Sequence, residues 1–122
     1  MGMKKKILLV DDERAFTEML RLNLEATGLY DVEAENNALN AVATAFQYRP
    51  DIIVMDIMMT NRRGTDLAAQ FKQIPIVFLT ATISGYEPIL GDNEFMGHPV
   101  VAKPTDLNVL LSVLEENLST TC

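Results

Sequence analysis

The chain has 122 residues, 48% of them hydrophobic, and a formal net charge of −7. That length suits one domain with one core, and the apolar content excludes a disordered chain. Apolar runs such as Ile7–Val10 and Ile52–Met55 are far too short to span a bilayer, and the acidic balance disfavours nucleic-acid backbones and membrane surfaces as direct partners.

The first residues do not resemble a signal peptide, because the apolar stretch after Lys4–Lys6 stops at Asp11. Met1-Gly2 before Met3 reads as an expression scar. One cysteine, Cys122, stands at the end and cannot form an internal disulfide. A cytoplasmic location is expected, with residues 1–122 as a single domain and a frayed tail over 119–122.

Lys6–Val10 reads as a buried strand closed by acids. Arg14–Thr27 follows as a helix with Phe16, Met19, Leu20 and Leu24 on one face, stopped by Gly28. Tyr30–Glu35 alternates apolar and polar, as an edge strand does. Asn37 is placed to cap a second helix whose inward face would be Leu39, Val42, Ala43 and Phe46, ended by Arg49-Pro50. Asp51–Met55 is an apolar strand ending at Asp56. Gly64–Gln73 predicts a short helix with Leu67, Ala68 and Phe71 inward, and Ile76–Leu79 a further strand ending at Thr80. Ile83–Gly97 is broken by Gly85, Pro88, Gly91 and Gly97. Val100–Ala102 is a last strand ending at Lys103, and Thr105 is placed to cap a final helix striped with Leu107, Leu110, Leu111, Leu114 and Leu118.

Strands alternating with helices predict an α/β fold, a doubly wound five-stranded parallel sheet; right-handed crossovers leave few topologies, one common solution being the flavodoxin-like order 2-1-3-4-5. Ligands of such sheets sit beyond the carboxyl ends of the strands. There this sequence places Asp11, Asp12 and Glu13, then Asp56, Thr80 and Lys103. Two carboxylates ~4 Å apart repel by roughly 4 kcal/mol at an effective dielectric of 20, so either some stay protonated or a cation sits among them. Hard oxygen ligands suit Mg²⁺, and one Cys and one His cannot make a zinc set. A carboxylate beside Mg²⁺, an amine and a hydroxyl together equip a site to accept a phosphoryl group.

Four segments in order carry a resemblance: Ile7-Leu8-Leu9-Val10-Asp11-Asp12-Glu13, Asp51–Met59 around Asp56, Ile76-Val77-Phe78-Leu79-Thr80-Ala81, and Lys103-Pro104. Over nearly its whole length the chain resembles the receiver domain of bacterial response regulators. The resemblance implies that Asp56 accepts a phosphoryl group from a phosphohistidine on a sensor histidine kinase or histidine phosphotransfer domain. It implies Mg²⁺ on Asp11, Asp12, Asp56 and the Met58 carbonyl. Thr80 and Lys103 would meet the phosphoryl oxygens, and a downstream protein or output domain would read the change. In that sense the domain catalyses its own phosphorylation and slow dephosphorylation but is primarily a signalling switch.

Departures are visible. Thr60 stands where the family has proline, Arg62-Arg63 lies in the same loop, and the third helix is expected to be short. Val100 replaces the usual aromatic switch residue, and the fourth-helix region is irregular. Met58 and Thr82 occupy positions that tune phosphoryl lifetime in the family, and bulky Met58 implies a slow loss. His98 reads as a loop bystander. The alternative is a receiver-fold interaction module that works without phosphorylation. A Mg²⁺-dependent phosphohydrolase is a weaker rival, since only Glu13 could activate water.

Overall fold

The computed structural model describes residues 4–59, 64–71, 73–81, 94–95, 97–103 and 105–119. Its elements are β1 (Lys5–Val10), α1 (Arg14–Glu25), β2 (Tyr30–Glu35), a 3-10 turn (Ala38–Asn40), α2 (Ala41–Tyr48), β3 (Ile52–Asp56), α3 (Gly64–Ala68), β4 (Ile76–Ala81), β5 (Glu94–Phe95), β6 (His98–Lys103) and α4 (Leu107–Ser119). The sheet order is β2-β1-β3-β4-β6-β5. The five longer strands are parallel and run 2-1-3-4-5 when counted alone, as expected. The two-residue β5 adds an antiparallel pairing with β6. A pairing this short leaves no periodic trace in a sequence, which is why it was not expected there. It also corrects the reading of His98, which is a strand residue: it pairs with Phe95, and its ring meets Phe78 edge-on at 5.6 Å between centroids.

Alternate strand residues feed two cores. Ile7, Leu9, Ile52, Val54, Val77 and Leu79 face the leucines of α1 and α4. Leu8, Val10, Ile53, Met55, Ile76 and Phe78 form the other core, with Ala38, Ala41, Ala45, Leu67, Ala68 and Phe71. Strands buried on both faces explain the unbroken apolar runs of β1 and β3.

Helix α1 buries Thr17, Leu20 and Leu24, while Phe16 is half-buried and Met19 is 51% exposed. Gly28 follows with φ 78°, a left-handed position that suits glycine at a helix end. Asn37 does cap, but it caps the 3-10 turn, accepting from the Leu39 N–H at 3.0 Å. The inward face expected for α2 is reversed. Leu39, Val42 and Phe46 are exposed, Ala43 is exposed too, and Ala38, Ala41 and Ala45 face the sheet. Both faces carry apolar residues, and the small one lets the helix backbone lie close to the Leu8/Ile53 surface. Arg49 closes the helix in a left-handed conformation (φ 56°) before Pro50.

The third helix is short, with Leu67, Ala68 and Phe71 buried as expected. Helix α4 buries Leu110 and Leu114, with Leu107, Leu111 and Leu118 packed against them. Its first turn is capped by Asp106, whose Oδ1 accepts from Asn108 N–H at 2.9 Å, and not by Thr105. Both residue types can cap, and the one immediately preceding the helix does so. Among the described residues no helix is long and apolar enough to cross a membrane. Met1-Gly2, Thr60, Arg62-Arg63, Thr82, Pro104, Cys122 and most of Ile83–Gly97 lie outside the described residues; Ser119, the first residue of the expected tail, closes α4.

Candidate functional site

The carboxyl ends of four parallel strands bring the expected residues to one edge. Asp11 follows the last residue of β1, Asp56 ends β3, Thr80 is next to last in β4, and Lys103 ends β6. Strand register sets their level: Asp56 lies opposite Leu79, and Ala81 opposite Lys103. Asp11 is 2% exposed and Asp56 7%, while Asp12 and Thr80 are half-buried.

Lys103 Nζ lies 2.6 Å from Asp11 Oδ2, 3.1 Å from Asp56 Oδ2 and 3.1 Å from Glu13 Oε1. Its contacts with Asp56 and Glu13 are hydrogen bonds. The contact with Asp11 is close but not aligned as one, so Asp11 Oδ2 keeps unspent lone pairs in a buried position. The ammonium also stands 4.5 Å from the centroid of the Phe16 ring, a cation–π contact. The backbone helps hold both buried acids. Met58 N–H donates to Asp56 Oδ1 at 3.0 Å, and Glu13 N–H donates to Asp11 Oδ1 at 2.9 Å.

Burial pushes the Asp56 carboxyl above the ordinary aspartate range, and the nearby Asp11 adds to this; the Met58 N–H and Lys103 offset only part of it. For Lys103, burial acts to lower the pKa, but the partners Asp11 and Asp56 outweigh it and hold the amine above its usual range. Among the described residues, Lys103 thus pairs with three carboxylates, those of Asp11, Glu13 and Asp56.

Asp11, Asp12 and Asp56 each offer a carboxylate oxygen, all within 4.8 Å of one another. Hard oxygen donors at this separation, with a buried Asp11 oxygen lacking an aligned donor, fit a hard divalent cation such as Mg²⁺. The arrangement can bind such an ion, place a buried carboxylate as a nucleophile and cover developing negative charge with an ammonium.

Two supporting residues, Phe16 and Asn36, were not singled out for the site in the sequence, whereas Gly64 fits the family pattern after Asp56. Phe16 read only as a helix-face residue, because its contact with Lys103 joins distant parts of the chain. Asn36 donates to the Asp11 carbonyl at 2.8 Å and to Thr17 Oγ1 at 2.9 Å, tying the end of β2 to the acidic loop. An amide directly after a strand that ends beside the acidic strand was the available signal. Gly64 donates its N–H to the Ile57 carbonyl at 2.7 Å, and a Cβ there would fall 2.2 Å from the Asp56 carbonyl oxygen. Only glycine lets α3 start so close to the end of β3.

A family model for the response regulator receiver domain matches residues 7–115. The chain belongs to the response regulator receiver domain family. Solved structures agree. The signal receiver domain of a modulated diguanylate cyclase from Desulfovibrio desulfuricans G20 is 29% identical, with a TM-score of 0.78 over 98% of this chain and 97% of that one. The chemotaxis protein CheY4 of Vibrio cholerae is 27% identical, with a TM-score of 0.75 over 94% and 99%. A candidate response regulator from Chloroflexus aurantiacus J-10-fl is 25% identical, with a TM-score of 0.82 over 96% and 99%. This chain is thus a receiver domain of the two-component signalling family.

Proposed function

We propose that this receiver domain is a phosphorylation switch in which Asp56 is the acceptor. The observation that carries the reading is the Asp56 carboxylate, buried to 7% exposure at the end of β3 and bonded to Lys103 beside Asp11. A carboxylate held this way is dry, oriented and partly neutralised, which favours attack on phosphorus over attack by water.

In the proposed step an Asp56 oxygen forms a bond to the phosphorus of a phosphohistidine. The P–N bond breaks and its electron pair stays on the imidazole. Asp11, Asp12, Asp56 and the Met58 carbonyl would hold Mg²⁺, which supplies charge neutralisation on the phosphoryl oxygens when bound. Lys103 exchanges its contact with Asp56 for a phosphoryl oxygen, and the Thr80 hydroxyl donates to another. The donor is a sensor histidine kinase or a histidine phosphotransfer domain, and the changed surface is read by a downstream protein or output domain in the cytoplasm. Met58, with a side chain 59% exposed and no polar handle for water, supports a slowly lost phosphoryl group.

Intact mass after incubation with Mg²⁺ and acetyl phosphate tests this. The expected result is a gain of one phosphoryl group, lost in Asp56→Asn and without Mg²⁺. A folded protein that gains none, and takes none from histidine kinases either, would overturn the reading in favour of an interaction module.

A further inference from the structure

Glu13 is the N-cap residue of α1, where a polar side chain ordinarily accepts from the first free N–H groups of the helix, yet its side chain makes no cap bond. Its backbone is engaged instead. The N–H donates to Asp11 Oδ1 at 2.9 Å, and the carbonyl accepts from the Thr17 N–H at 3.1 Å. Fixed in the acidic loop this way, its carboxylate accepts from Lys103 Nζ at 3.1 Å while remaining 66% exposed. Ordering a long exposed side chain costs rotamer freedom, and an exposed ion pair returns little stability for it. The contact is therefore poorly accounted for by folding, and its chemistry has to be sought at the site.

Lys103 has partners of two kinds. Asp11 and Asp56 belong to the three carboxylates, within 4.8 Å of one another, that suit a divalent cation. Glu13 and the Phe16 ring, 4.5 Å from Nζ, stand outside that set. The two kinds respond differently to the ion. Nζ lies 2.6 Å from Asp11 Oδ2, an oxygen buried from solvent. A dication bound by Asp11 and Asp56 and an ammonium this close to them are like charges in a site that solvent screens little. Ion and ammonium thus compete for the same two carboxylates. Glu13 is the bonded carboxylate that the ion does not claim.

We propose that Glu13 is a positioning residue, the carboxylate that holds Lys103 at the site when a divalent cation takes Asp11 and Asp56. It lies on the loop that carries Asp11 and Asp12, so it keeps its place relative to the metal ligands. Held by Glu13, the ammonium yields Asp11 to the ion yet stays beside Asp56, within reach of an incoming phosphoryl oxygen. Without Glu13, Lys103 rests more firmly on the ion's own ligands, and the ion binds against it. The inference rests on the reading of Asp11, Asp12 and Asp56 as a metal site.

Titration of the whole chain with MgCl₂, followed by the amide NMR shifts of residues 11–13 and 56–58, tests it as a double-mutant cycle. Glu13→Gln is expected to weaken Mg²⁺ binding about tenfold. Lys103→Met should bind Mg²⁺ more tightly than the parent, because the competing cation is gone. In that background Glu13→Gln should change the affinity by less than about twofold. The same spectra report the fold, and Lys103→Gln replaces Lys103→Met if the latter is unfolded. Parent-like affinity in Glu13→Gln overturns the proposal. So does a tenfold loss that persists without Lys103, which would mean that Glu13 acts on the ion by charge alone. A folded parent that binds no Mg²⁺ overturns the metal-site reading itself, and the proposal with it.

Discussion

The two faces of the sheet are covered by opposite strategies. On one, α1 and α4 send Leu20, Leu24, Leu110 and Leu114 into the core and are fixed by large side chains. On the other, the 3-10 turn and α2 present Ala38, Ala41 and Ala45 inward and keep their bulk outside. A fully buried leucine contributes ~1.5–3 kcal/mol, whereas a buried methyl contributes about 0.8 kcal/mol. The leucine face therefore carries stability, while the alanine face carries closeness of approach and leaves its large residues available for contact with other molecules.

Substitutions can break this contrast. The largest effect is expected for Leu110→Ala, which should cost about 3 kcal/mol in urea unfolding, as deletion of a wholly buried leucine does. Ala41→Leu should cost ~1–3 kcal/mol by overpacking, although it adds hydrophobic bulk; a gain in stability would show that α2 has room to move away. Asp56→Asn, which removes a buried charge between the two faces, should raise Tm modestly. The sign follows from linkage. The folded carboxyl is raised, so the folded state binds more protons than the unfolded chain between the two pKa values, and stability falls as pH rises through that window. The gain in Asp56→Asn is thus largest at neutral pH without divalent metal and fades as pH falls towards the ordinary aspartate range. A gain independent of pH would assign it to something other than that charge.

The strands and the acidic edge were legible because both leave local marks: apolar runs stopped by Asp11, Asp56, Thr80 and Lys103. Connection rules narrowed the strand order to a few topologies, and the resemblance to receiver domains pointed to 2-1-3-4-5 among them. The face of α2 was not legible, because periodicity reveals two stripes without saying which one meets the sheet. Leu39, Val42 and Phe46 are the more hydrophobic stripe, yet close packing selected the alanines. The cap of α4 was misplaced by one residue because Thr105 and Asp106 are both competent. Phe16 and Asn36 were missed as supports of the site because their contacts are tertiary.

The borders of the sheet have a consequence for crowding. Among the described residues β2 is the edge strand on one side; its Val32 N–H is engaged by Glu25 Oε2 at 3.2 Å, Asp31 and Glu33 are exposed along it, and Glu35 follows them in the same alternation. Strand-to-strand growth between copies would stack like charges at each step. At the opposite border, β5 already pairs with β6. Fibrous aggregation is thus opposed at the β2 margin by repulsion between like charges.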